Sequence, residues 1–124
     1  MDKKLVLVID DQEDLRFILK FDLQKNGYEV IQAGSGEEGI EKARTSRPDI
    51  ILLDRKMPGI DGVETCRKLK RDDLTKDIPV LMISGRSLVE ELKEALQVGA
   101  AGYIVKPFKF EDVISKISEV LNPA

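Results

Sequence analysis

A chain of 124 residues, 42% hydrophobic and 35% charged, is the size of one globular domain built on a single core. Its 23 acidic and 20 basic residues are intermixed to a formal charge of -3, which leaves no basic stripe for nucleic acid or a membrane surface. The absence of histidine excludes phosphohistidine carriers, Ser-His-Asp and Cys-His catalysis and His-ligated metals, so any chemistry must come from carboxylates, Lys, Arg and hydroxyls.

The opening Met1-Asp2-Lys3-Lys4 leads into five apolar residues, Leu5 to Ile9. That run is too short for a signal-peptide core or a spanning helix, and the chain reads as cytoplasmic with no membrane role. Further apolar runs begin near Tyr28, Ile50, Pro79 and Ala101, each separated from the next by a stretch of helical spacing, which predicts five β-α units in series. Asn26-Gly27 and Val98-Gly99 read as helix stops, because glycine accepts the left-handed conformation that closes a helix. Ser35 with Glu38, Asp61 with Glu64, and Ser87 with Glu90 have capping-box spacing, in which each side chain serves the other's unpaired backbone N–H. Cys66, the single cysteine, excludes an internal disulfide and a cysteine zinc site and reads as a small core residue. Leu88, Leu92, Ala95 and Leu96 read as the core face of a helix, and Phe110, Val113, Ile114, Ile117 and Leu121 lay one apolar stripe along the last helix. The chain closes on Asn122-Pro123-Ala124 with no linker to a second domain, so residues 1–124 read as one unit.

Leu5 to Ile9, Ile50 to Leu53 and Val80 to Ile83 are apolar without interruption, as parallel strands covered on both faces must be. Tyr28 to Gln32 carries polar residues and Gly102 to Val105 is short, which places both at the edges. The predicted fold is therefore a flavodoxin-like, doubly wound α/β domain with a five-stranded parallel sheet in order 2-1-3-4-5. Right-handed crossovers put helices on both faces and leave a crevice at the carboxyl ends of the strands.

Chemistry is expected in that crevice. Asp10 and Asp11 follow the first strand and Asp54 ends the third, so three carboxylates meet at neighbouring strand ends. Their repulsion is relieved by a hard divalent cation with oxygen ligands, which suits Mg²⁺. Ser84 and Lys106 follow the fourth and fifth strands into the same crevice. Phosphoryl transfer needs an in-line nucleophile with cations and donors on the transferring oxygens. Asp54 can attack, Lys106 can neutralise and Ser84 can donate. Taken singly, each residue has a plainer reading: Asp10 or Asp11 as a helix cap, Ser84 as a turn residue, Lys106 as a solvated loop lysine, Tyr103 as half-buried packing. Met57-Pro58-Gly59 and Asp61-Gly62 shape a loop and start a helix.

The acidic pair, Asp54 followed by Met57-Pro58-Gly59 and Asp61-Gly62, Ser84, and Lys106-Pro107-Phe108 together resemble the bacterial response-regulator receiver family, in order and over essentially the whole chain. The resemblance implies that Asp54 is the phosphoacceptor, Asp11 a direct Mg²⁺ ligand, Asp10 a ligand through water and Lys56 a ligand through its backbone carbonyl. It implies a switch made of Ser84 and Tyr103, a phosphoryl contact from Lys106, and a cis bond between Lys106 and Pro107. The implied partners are a histidine kinase or phosphotransfer protein upstream and a downstream protein target read through the surface from Ser87 to Leu121. Nucleic acid is not contacted directly, and the chain is a monomer or a phosphorylation-dependent dimer. Such a domain catalyses only its own phosphorylation and dephosphorylation.

The chain departs from the family pattern at Lys56, an unusual lysine two residues past Asp54, and in carrying serine rather than threonine at position 84. Arg55, Lys56 and Arg86 would put three basic side chains beside the acidic site, with Lys56 over the phosphoryl group and obstructing water. The competing functions are a receiver excised from a longer regulator with a DNA-binding or catalytic output domain, a Mg²⁺-dependent phosphatase, and a flavodoxin-like cofactor binder. Lys56 stands where such phosphatases carry a second aspartate, and Asp10-Asp11-Gln12-Glu13 would repel a cofactor phosphate.

Overall fold

A computed structural model of the chain describes residues 3–85 and 89–122. Five strands and five helices alternate: β1 (Leu5–Ile9), α1 (Glu13–Lys25), β2 (Glu29–Ala33), α2 (Gly36–Ser46), β3 (Ile50–Asp54), α3 (Gly62–Arg71), β4 (Val80–Ser84), α4 (Val89–Gln97), β5 (Gly102–Val105) and α5 (Phe110–Leu121). The strands form one parallel sheet in the order β2-β1-β3-β4-β5, as their composition predicts. No described helix is long and apolar enough to cross a membrane.

Strand side chains alternate between two apolar layers. Leu7, Ile9, Ile51, Leu53, Val80 and Met82 pack with Ala43 of α2, Cys66 and Leu69 of α3 and Ala95 of α4. Val6, Val8, Ile50, Leu52, Leu81 and Ile83 pack with Leu19 and Leu23 of α1 and Val113 and Ile117 of α5. Because the central strands are covered on both faces, every residue of β3 and β4 is buried, which is why those runs carry no polar interruption before Asp54 and Ser84. Cys66 is a core residue, its thiol pushed up to about 11 by burial.

Helix boundaries follow local chemistry. Gly27 and Gly99 take φ of 91° and 98° just past α1 and α4, as the sequence predicts. Ser35 and Asp61 cap α2 and α3 by accepting from the N–H of Glu38 and Glu64. The boxes are not reciprocal: Glu38 accepts instead from Gly34 N–H at 2.7 Å, which holds its carboxyl below the ordinary range, and Glu64 pairs with Arg67. The Ser87–Glu90 box, like Leu88 and Arg86, involves residues outside those described.

The expected core face of α4 is corrected. Among the described residues of that stripe only Ala95 is buried, while Leu92 and Leu96 are 39% and 54% exposed. The layer beneath α4 is filled by Ala100, with Val98 and Tyr103 packed against it. Of the described side chains of α4 the Ala95 methyl alone is fully buried, and Leu92 and Leu96 keep a large share of their surface exposed. The stripe of α5 is as predicted, with Val113 and Ile117 fully buried and Phe110, Ile114 and Leu121 packed beside them.

Candidate functional site

Strand register assembles the site. Ile9 pairs with Leu53, Asp54 with Ile83, and Ser84 with Val105. Asp10 thus emerges level with Asp54, Ser84 lies one residue beyond the level of Asp54, and Lys106 one residue beyond Ser84, all at the carboxyl edge. Asp10 and Asp54 are 2% and 5% exposed, whereas Asp11 is open to solvent. Carboxylate oxygens of the three lie within 4.8 Å of one another. The ammonium of Lys106 stands 3.2 Å from Asp54 Oδ1 and 3.8 Å from Asp10 Oδ2. Burial pushes both buried carboxyls above the ordinary carboxylate value; at Asp54 the neighbouring Asp10 charge adds to this, and Lys106 offsets part of it.

The site's backbone is held from behind. Gln12 N–H donates to Asp10 Oδ1 at 2.8 Å in a turn ahead of α1, so Asp10 is not the cap of that helix, whose N-cap position is held by Gln12 with no side-chain bond, and its second oxygen is left for Lys106. Arg16, one turn into α1, donates through Nη1 to the Asp10 carbonyl at 2.6 Å and through Nε to Gln32 at 3.3 Å. The sequence reading missed Arg16, although its place in the first turn of α1, beside the acidic loop, was the available signal. Gly62 donates to the Arg55 carbonyl at 2.8 Å, and a Cβ there would fall 2.4 Å from the Asp54 carbonyl oxygen. Glycine is required at this approach of α3 to the end of β3. The Lys106–Pro107 bond is cis, as the resemblance implies.

Asp11, Asp54, Lys56 and Lys106 line one open cleft of about 600 Å³, together with Met57 and Pro58. Ser84 is buried at the end of β4 and lines an adjoining hollow that Lys56 shares. Tyr103 is half-buried on β5 and lines a larger groove of about 930 Å³ along β5 and α5, which holds none of the three aspartates. Arg55 does not face the aspartates as expected. Its guanidinium crosses to α4, where it pairs with Glu94 and donates to the Glu91 carbonyl at 3.3 Å. Pairing with a carboxylate on α4 outweighs a place among carboxylates that Lys106 already serves.

An all-oxygen donor set with two buried carboxylates and one exposed suits a hard divalent cation that keeps several waters, and so fits Mg²⁺. Residues 6–118 match the response regulator receiver domain. The chain belongs to that family. Receiver domains are signalling modules of two-component systems that interact with histidine kinases. This receiver is 37% identical over 98% of its length to the alkaline phosphatase synthesis transcriptional regulatory protein PhoP of Bacillus subtilis, and 36% identical over 96% to the phosphate regulon transcriptional regulatory protein PhoB of Pseudomonas aeruginosa. It spans about half of each relative, 50% and 52%. In structure it is similar to the chemotaxis protein CheY4 of Vibrio cholerae, with a TM-score of 0.93 and 34% identity over 97% of this chain and all of that one. It is also similar to a CheY-like receiver protein of Methanospirillum hungatei, with a TM-score of 0.91 and 30% identity over 98% of this chain and 95% of that one.

Proposed function

We propose that residues 1–124 form a phosphoacceptor receiver that takes a phosphoryl group onto Asp54 from a phosphohistidine of a partner kinase or phosphotransfer protein. The observation that carries this reading is the convergence of Asp54, Asp10 and Lys106, a buried nucleophilic carboxylate with a like charge on one side and an ammonium 3.2 Å away. An Asp54 oxygen attacks phosphorus in line; the bond to the donor imidazole nitrogen breaks, and that nitrogen keeps the electron pair. The product is an acyl phosphate. Lys106, which in the free site neutralises Asp54 and Asp10, is placed to transfer its hydrogen bond to a phosphoryl oxygen.

Asp11 directly, Asp10 through water, and Asp54 and the Lys56 carbonyl would hold Mg²⁺, which supplies positive charge against the phosphoryl oxygens. Ser84 provides a hydroxyl at the edge of the site and Tyr103 an aromatic ring on the adjacent strand, and the two form the switch. A partner that prefers the arrangement favoured by phosphorylation binds more tightly, through the surface spanning residues 87–121. This readout is protein–protein, without direct nucleic acid contact, in a cytoplasmic monomer or phosphorylation-dependent dimer. The domain turns over only its own phosphoryl group.

A second reading is favoured by length. The relatives are transcriptional regulators of which this chain spans about half, and on this reading the receiver is a phosphoacceptor module excised from a longer regulator with a DNA-binding output domain. Both readings share one test. Acetyl phosphate with Mg²⁺ is expected to add a single acid-stable, base-labile phosphoryl group by intact mass, and Asp54→Ala to abolish it. Unaltered labelling of Asp54→Ala overturns the assignment.

A further inference from the structure

The Arg55 side chain lies apart from the aspartates but directly adjoins the phosphoacceptor in sequence. Its backbone is pinned on both sides: its N–H donates to the Ile83 carbonyl of β4 at 2.8 Å, and its carbonyl accepts from Gly62 of α3 at 2.8 Å. The side chain, only 16% exposed, reaches over β4 to the middle of α4, bound to the Glu94 carboxylate and to the Glu91 carbonyl. A guanidinium on a pinned backbone is a stiff bracket, and any displacement at Asp54 is passed to it through one peptide unit.

The receiving helix is weakly anchored by apolar packing. Ala95 is its only buried side chain among the described residues, while Val89, Leu92 and Leu96 are exposed. An element with so little buried apolar surface sits at the low-stability end of a fold, where one charge-assisted hydrogen bond is a large share of what holds it. The Arg55–Glu94 pair therefore has more influence over the placement of α4 than a surface ion pair usually has over a helix.

We propose that Arg55 is a latch coupling phosphoryl occupancy of Asp54 to the placement of α4 through Glu94, a route separate from Ser84 and Tyr103. This rests on the phosphoacceptor reading and adds a mechanical link to it. Arg55 is a positioning residue, and Glu94, half-exposed on α4, can be altered without touching the aspartates. By linkage, if occupancy alters the latch, breaking the latch must alter occupancy by the same factor.

The test uses the full chain and beryllofluoride with excess Mg²⁺ as the phosphoryl mimic, comparing wild type with Glu94→Gln. Hydrogen exchange of α4 amides should change severalfold on beryllofluoride binding in the wild type, and that change should fall to less than half in Glu94→Gln. The beryllofluoride Kd should shift at least threefold, while exchange in α1 stays as in the wild type. A purely structural pair would raise α4 exchange equally with and without the mimic. Normal beryllofluoride binding with an unaltered α4 response in Glu94→Gln overturns the latch alone. Failure of the wild type to take beryllofluoride overturns the phosphoacceptor reading and the latch with it.

Discussion

Replacing Lys106 by methionine keeps most of the stem and deletes the ammonium that faces both buried aspartates. At an effective dielectric of about 20, unit charges at 3.2 and 3.8 Å attract by roughly 5 and 4 kcal/mol, and two carboxylates within 4.8 Å repel by roughly 3 kcal/mol or more. These are gross figures. The Lys106 side chain is 26% exposed, so solvent screens it, and its own desolvation cost leaves with the charge. The net loss is about 2–3 kcal/mol, just under the ~3–5 kcal/mol typical when one partner of a fully buried pair is removed. In urea this lowers the unfolding midpoint by roughly 1–2 M at neutral pH without metal. The pH dependence has a definite sign. Burial holds Asp10 and Asp54 above their ordinary 3.8, so the fold binds protons more tightly than the unfolded chain and loses stability as pH rises above that value. Removing Lys106 lifts both groups further, so the deficit of Lys106→Met is full at neutral pH and closes as pH falls toward 3.8. Saturating Mg²⁺ also narrows it by restoring positive charge. Urea unfolding of both proteins at neutral pH, at acidic pH and with Mg²⁺ measures all three. A deficit of one size in every condition, or none at neutral pH, refutes the electrostatic account.

Asp10→Asn retains the oxygen that accepts from Gln12 and removes one buried charge, so without metal it should be more stable at neutral pH by about 1 kcal/mol. Its Mg²⁺-induced stabilisation should fall to less than half of the wild-type value, which is about 2.7 kcal/mol at a hundredfold excess over Kd; thermal melts with and without Mg²⁺ read both. Lys56 is exposed on the rim of the carboxylate cleft, so Lys56→Asn should open the phosphoryl group to water and speed dephosphorylation about 3- to 10-fold, followed by intact mass; an equal or slower rate counts against obstruction. Gly62→Ala places a methyl 2.4 Å from the Asp54 carbonyl oxygen and 2.6 Å from Arg55 Cα, both backbone atoms that cannot swing aside. It should cost about 2–3 kcal/mol in urea unfolding and slow phosphorylation by acetyl phosphate, since the same backbone carries Asp54.

Backbone placement was legible where a hydrophobic run ends on a polar residue. Leu5 to Ile9 before Asp10, Ile50 to Leu53 before Asp54, and Val80 to Ile83 before Ser84 each mark a covered strand reaching the crevice, and the observed register brings Asp10 level with Asp54 and Ser84 one residue beyond them. Side-chain direction was less legible. Arg55 adjoins Asp54 in sequence, and nothing in that adjacency tells which carboxylate a long guanidinium will choose; α4 supplies Glu94 only once the fold is made. The capping spacings located α2 and α3 correctly, but their glutamates had nearer alternatives in Gly34 N–H and Arg67. A spacing rule does not contain that competition.

The error at α4 has a physical cause that bears on how a receiver works. Leucines at helical spacing predict a core face when the helix is assumed to bury a wide stripe, as α5 does. On α4 the space is taken by Ala100, Val98 and Tyr103, which follow the helix in sequence, so Leu92 and Leu96 stay outside. A helix excluded from the core in this way loses apolar anchorage but gains surface leucines that a partner can cover, and its position comes to depend on polar ties such as Arg55–Glu94. Low anchorage is what lets a small electrostatic change at Asp54 matter there, because a helix with several buried leucines would need several kcal/mol to shift. The two leucines that sequence periodicity misassigns to packing thus belong to the element best suited to report on the site.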